Sequence, residues 1–99
     1  MRKLRFHIRV QDEVDEAVRW YDDQRPGLGD DFYAKFSEAV GQAARHPEGF
    51  SFWLRSRTIR RVKLSRFPYD VLFELRADAV RIVCLRHEKR HPSFGSGRQ

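Results

Sequence analysis

The chain reads as an α+β fold of order β-α-α-β-β-β, an antiparallel sheet with an N-terminal αα-hairpin packed on one face. Three observations predict it. Apolar and basic residues alternate from Leu4 to Val10, two helix-period stretches follow across a Pro-Gly junction, and after Gly49 the period returns to two.

Leu4, Phe6, Ile8 and Val10 alternate with Arg5, His7 and Arg9, the pattern of a strand with one buried and one basic face. Asp12 is placed to cap the first helix, with Asp15 and Glu16 near its positive end. Val14, Ala17, Val18 and Tyr21 recur at i, i+3, i+4 and i+7 and form its buried stripe. Arg25-Pro26-Gly27 stops it. Asp30 is the equivalent cap for a second helix, whose inner side is Phe32, Phe36, Ala39, Val40, Ala43 and Ala44. His46-Pro47 ends that helix, because a residue before proline is pushed out of the helical region. Two helices with so short a connection make an antiparallel hairpin.

Residues 50–53 fit a short strand. In 59–65, Arg60, Val62 and Leu64 fall on one side and Arg61 and Lys63 on the other. Phe67-Pro68 marks a turn, 69–75 a strand and 76–79 a hairpin loop. The last strand, 80–86, is apolar on both faces in part, which makes it central. Residues 92–99, with Pro92, Gly95, Ser96 and Gly97, read as a flexible tail. The whole of 1–99 is expected to be one domain.

With 40% apolar and 13% aromatic residues, the chain has enough bulk for a packed core, which excludes disorder for most of its length. Cys84, the single cysteine, sits inside VRIVCL as a small core residue, a usage that fits a reducing cytoplasm. MRKLRFHIRV lacks the unbroken apolar core of a signal peptide, and no run approaches the roughly 20 residues of a membrane span. A cytoplasmic location and no membrane partner are expected.

Charge is divided unevenly. From residue 54 onward there are twelve basic and four acidic residues, while 1–53 hold eight basic and ten acidic. The strand-rich half is therefore at +8 and the helical half at −2, as for a basic working surface that meets an acidic partner. If the helices cover one face of the sheet, parity puts Arg5, His7 and Arg9 on the open face with Arg61 and Lys63, in a shallow basic groove.

WYDDQRPGLGDDF at 20–32, HPEGF at 46–50, RRVKLSRFPYDVLFEL at 60–75 and VRIVCLRHEKRHP at 80–92 together resemble the RelE/ParE toxin superfamily, closest to its ParE-like branch. The resemblance runs through nearly the whole chain in co-linear order. It implies the toxin of a bacterial type II toxin–antitoxin system, bound by a cognate acidic antitoxin in a hetero-oligomer. ParE-like members are associated with inhibition of DNA gyrase and plasmid stabilisation. RelE-like members cut mRNA on the ribosome without a metal, using basic residues and often a tyrosine.

Arg61 and Lys63 match the basic pair that RelE-like toxins carry on the corresponding strand, and Arg90 matches a basic residue after the last strand. Asp70, however, stands where an RNA-cleaving relative has an arginine for the phosphate, and Phe94 stands near the place of a catalytic tyrosine. The resemblance thus implies a non-nuclease toxin whose target-binding or phosphate-binding patch is Arg61, Lys63, His87, Lys89 and Arg90. The alternatives are a ribosome-dependent mRNA endonuclease, with His87 and His91 moving protons, and a non-toxic family member. No catalytic residue is assigned and no cofactor is expected. His87 and His91 lie between a strand and a proline with no third clustered ligand, so no metal site is expected. Trp20 and Tyr21 read as core and helix-edge residues, not as a base-stacking platform.

Overall fold

The computed structural model describes residues 2–99. The elements are β1 (Lys3–Phe6), α1 (Val10–Gln24), α2 (Leu28–Arg45), a single 3-10 turn (Pro47–Gly49), β2 (Ile59–Lys63), β3 (Tyr69–Leu75) and β4 (Ala79–His87). The four strands form one sheet in the order β1-β4-β3-β2, with the helical hairpin on one face.

β2, β3 and β4 are antiparallel neighbours, as expected, whereas β1 joins β4 in parallel. The hairpin carries the chain from one edge of the sheet to the other, so the last strand returns beside the first in the same direction. β4 lies between β1 and β3 and is central, as its two-sided apolarity requires. Its register shifts between Leu72 and Phe73, which pair with Cys84 and Ile82, and Val83 is the extra residue of the bulge.

β1 is shorter than the alternation predicts. The backbone turns at His7, whose Nδ1 accepts the Arg9 amide hydrogen at 3.1 Å while Val10 N donates to His7 O. Val10 then opens α1, buried with Val14, Ala17 and Tyr21 at i+4, i+7 and i+11. Asp12 is consequently not the cap but a first-turn residue beside Glu13. Asp30 does not cap α2 either. Gly27, at φ +90°, turns the chain, and the Asp22 carboxylate accepts the Gly29 amide hydrogen at 2.7 Å from across the hairpin. No strand forms at 50–53; a lone bridge between Phe52 and Arg60 follows the 3-10 turn.

The principal core joins Val10, Val14, Tyr21, Phe32, Phe36 and Val40 of the helices to Val62, Val71, Phe73 and Leu85 of the sheet. Tyr21, Phe32, Phe67 and Tyr69 meet as an aromatic cluster with ring centroids 4.9–6.2 Å apart.

The second face is not the open basic groove expected. Trp53, Ile59, Leu72, Val83 and Cys84 form a smaller core there, with Phe94 packed against it. Residues 92–99, expected to be flexible, lie against this cluster. Trp53 Nε1 donates to Pro92 O at 2.9 Å, Arg98 Nη1 donates to Val83 O at 3.1 Å, and Arg98 forms an ion pair with Glu13 of α1. Gly95, at φ +76°, fits so closely that a Cβ would lie 2.5 Å from Cys84 Sγ. The reason is apolar: a bulged central strand with side chains on both faces needs a cover on both.

Candidate functional site

The candidate residues come from β2, from the end of β4 and from the turn after it, and parity divides them. Arg61 and Lys63 project from β2 on the second face, opposite Leu72 and Asp70. The Arg61 guanidinium lies 3.8 Å from the Asp70 carboxylate and 5.3 Å from the Trp53 ring centre. Lys63 Nζ pairs with Glu88 at 3.0 Å. His87, the last residue of β4, faces the helical side instead, with its ring edge-on to Tyr69 at 4.9 Å. The five-residue patch is therefore two groups on either side of the turn after β4, not one surface.

That turn holds Lys89 and Arg90 at its crest. Arg86, buried beneath it, donates from Nη2 to Glu88 O at 3.4 Å and Arg90 O at 3.2 Å. Arg90 N donates to His87 O, Glu88 N to Pro68 O, and Lys89 N to His87 Nδ1. Arg86 Nη1 also holds Asp70 Oδ2 at 3.1 Å, and its guanidinium lies 4.6 Å from the centre of Trp53. Burial pushes the Asp70 carboxyl above its ordinary value despite Arg86 and Arg61 beside it. The carboxylate that departs from the RNA-cleaving pattern is thus a structural anchor, and Arg86, which was not among the candidate residues, shapes the turn that presents two of them.

On the helical side a cleft of about 510 Å³ opens between α1 and the turn. His87 and Arg90 line it with Glu13, Glu16, Trp20 and Tyr69. Glu13 is already occupied: it accepts the Leu85 amide hydrogen at 3.1 Å, beyond the end of β1, and pairs with Arg98. Arg90 stacks 4.8 Å over Phe94 on the opposite rim. Burial, then the neighbouring Tyr21 and Glu16, raise the Tyr69 phenol, which stays protonated as a hydrogen-bond donor. Sequence reasoning missed the α1 contribution, although Glu13, Glu16 and Trp20 recur at i, i+3 and i+7 beside the buried stripe.

Among the described residues no group of three or more His, Cys, Asp or Glu is placed to hold a metal ion. No helix of the described residues is long and apolar enough to cross a membrane.

No family model matches the chain. It is 30% identical over 93 residues to the toxin ParE2 of Mycobacterium tuberculosis, in both strain CDC 1551 / Oshkosh and strain H37Rv, across 93% of this chain and 87% of that protein. Its fold matches a chain of a chromosomal ParDE TA system from P. aeruginosa with a TM-score of 0.77, covering 88% of this chain and 96% of that one. At 16% identity the latter likeness concerns the fold alone. The shared sequence over almost the full length of ParE2, together with the hairpin-on-sheet architecture, places this chain in the ParE family of toxins.

Proposed function

We propose that this toxin disables DNA gyrase by binding it, and that a cognate acidic antitoxin neutralises it in the cytoplasm as a toxin–antitoxin hetero-oligomer. The observation that carries the choice of binding over RNA cleavage is the Asp70–Arg86 pair. Metal-free cleavage needs cations on the scissile phosphate and a group that moves protons. Here the position expected to hold a phosphate-binding arginine is a carboxylate, and its arginine partner is buried and committed to main-chain carbonyls. Phe94, near the place of the catalytic tyrosine, has no hydroxyl and stacks against Arg90 and Arg98. Arg61, Lys63, His87, Lys89 and Arg90 remain as a divided basic rim for carboxylates or phosphates of a large target.

The antitoxin has a fitting surface elsewhere. β1 is an edge strand bonded on one side only, and Phe6 and Ile8 beside it are 50% and 86% exposed. They border a groove of about 400 Å³ with Val10, Val14, Tyr33 and Phe36. An extended acidic segment with apolar anchors would add a strand there and fill the groove.

Induced expression without antitoxin tests the reading. Loss of plasmid supercoiling and a DNA-damage response with intact messages are expected, and Lys89→Glu with Arg90→Glu should restore growth while the protein remains folded. Codon-phased mRNA cleavage with normal supercoiling would overturn it. That second outcome has one observation in its favour: Tyr69, His87 and Arg90 bring a phenol, an imidazole and a guanidinium to one cleft. His87→Ala would then abolish cleavage in a ribosome-dependent mRNA endonuclease.

A further inference from the structure

The cleft between α1 and the turn has a chemistry that capture of an acidic partner does not use. Trp20, Tyr21, Tyr69 and His87 form a continuous run of rings with centroids 5.0, 6.2 and 4.9 Å apart. Trp20, at one end, meets Tyr21 edge-on yet is 56% exposed, so against the sequence expectation it is not a core residue and leaves aromatic surface open at the cleft mouth. Arg90 stands on the far rim, stacked on Phe94, with Lys89 next to it on the crest of the turn. Of the two carboxylates, Glu13 is consumed by Arg98 and the Leu85 amide, while Glu16 has no ion-pair partner among the described residues.

We infer that this cleft is a binding site for an unpaired nucleobase and its phosphate, the ligand being single-stranded nucleic acid. The base stacks on Trp20, its edge donates to Glu16, and Arg90 holds the phosphate. Stacking on an exposed ring accepts any base, and the charge on the rim attracts the backbone. Glu16 supplies a preference. Guanine presents adjacent N1–H and N2–H donors that a carboxylate accepts together, whereas adenine places its N1 acceptor beside the N6 donor and is repelled. A cationic side chain from a protein partner is disfavoured by Arg90 and Lys89 and by the net charge of +6.

The site shares His87 and Arg90 with the proposed target patch, but Trp20 and Glu16 lie outside it, so the two readings fail separately. Binding is measured on the purified chain with pentamers carrying a central guanine, a central adenine or five abasic sites. The guanine pentamer should bind best and the abasic strand, with equal charge, worst. Trp20→Ala should weaken the guanine pentamer on the order of tenfold, as loss of one stacked base does. Glu16→Gln should equalise guanine and adenine while leaving stacking intact. Equal binding of abasic and guanine strands, or no effect of Trp20→Ala in a protein with unchanged Tm, overturns the assignment. So does binding of an oligo-arginine peptide that depends on Trp20, which would give the cleft to a basic protein segment.

Discussion

Arg86 and Asp70 form a 3.1 Å ion pair sealed inside the second face of the sheet, their side chains 6% and 1% exposed. Asp70 Oδ1 and Arg86 Nε have no hydrogen-bond partners, so the pair is incompletely satisfied. A buried pair of this kind gives little net stability, yet removing one member strands the other charge. Asp70→Ala should therefore cost about 3–5 kcal/mol in denaturant titrations. Asp70→Leu with Arg86→Met should recover most of that loss while loosening the turn at 87–91, because Arg86 no longer holds Glu88 O and Arg90 O. A single variant as stable as the double would show that the charges are not coupled.

The hairpin rests on Asp22 reaching across to Gly29. Asp22→Ala removes the side-chain acceptor that the described residues offer at the start of α2 and should cost about 1 kcal/mol. For a domain of this size that is a fall in Tm of roughly 4–8 °C. Gly29→Ala should cost more, because its Cβ would lie 2.6 Å from Val18 O, a backbone atom that cannot swing aside. Thermal melts of both variants decide the matter. A neutral Gly29→Ala would mean that the helices separate easily.

Ile8 is a sensitive reporter of the proposed antitoxin groove, since it is exposed and little buried on folding. Ile8→Lys should leave Tm within about 2–4 °C, in line with the roughly 0.5 kcal/mol typical of surface changes. It should weaken capture by a co-expressed antitoxin by about tenfold or more, because an apolar anchor at the edge of the groove becomes a charge. Calorimetric titration with the purified antitoxin measures it. Unchanged affinity would move the antitoxin away from β1.

How far the sequence could be read follows from the range of each signal. The helices were legible because Val14, Ala17 and Tyr21, and Phe32, Phe36, Ala39 and Val40, repeat locally at helical spacing. Their caps were not, since Asp22 acts seven residues away in sequence, across a turn that only Gly27 permits. The basic residues could be named, but how the fold distributes them was hidden. Whether His87 shares a face with Arg61 depends on the pairing of β4 with β3 and on a bulge at Leu72/Phe73, neither of which is marked in sequence. The second core had a signal, the two-sided apolarity of β4, but its covers Trp53 and Phe94 lie 30 and more residues away from Cys84 or within a tail of small polar residues.

Cys84 tests whether that tail stays docked. Burial raises its thiol to about 12 from an ordinary 9.0, with Glu13 adding to the effect. Gly95 and Phe94 provide the cover, and Cys84 Sγ donates weakly to Phe94 O at 3.7 Å. The folded thiol should therefore resist alkylation at mildly alkaline pH, at a rate well below that of the unfolded chain. Phe94→Ala should open the cover and speed labelling markedly without unfolding the principal core, which lies on the other face of the sheet. The sign of the pH dependence is fixed by the same shift. Because the folded state holds this proton more tightly than the unfolded one, the contribution is complete below pH 9 and declines as pH rises toward about 12. The loss should approach about 1.4 kcal/mol per pH unit in that window, and Cys84→Ala should abolish this part of the slope. Rapid labelling of the native protein at neutral pH would mean that residues 92–99 leave the sheet, and that Trp53 and Cys84 spend time in water.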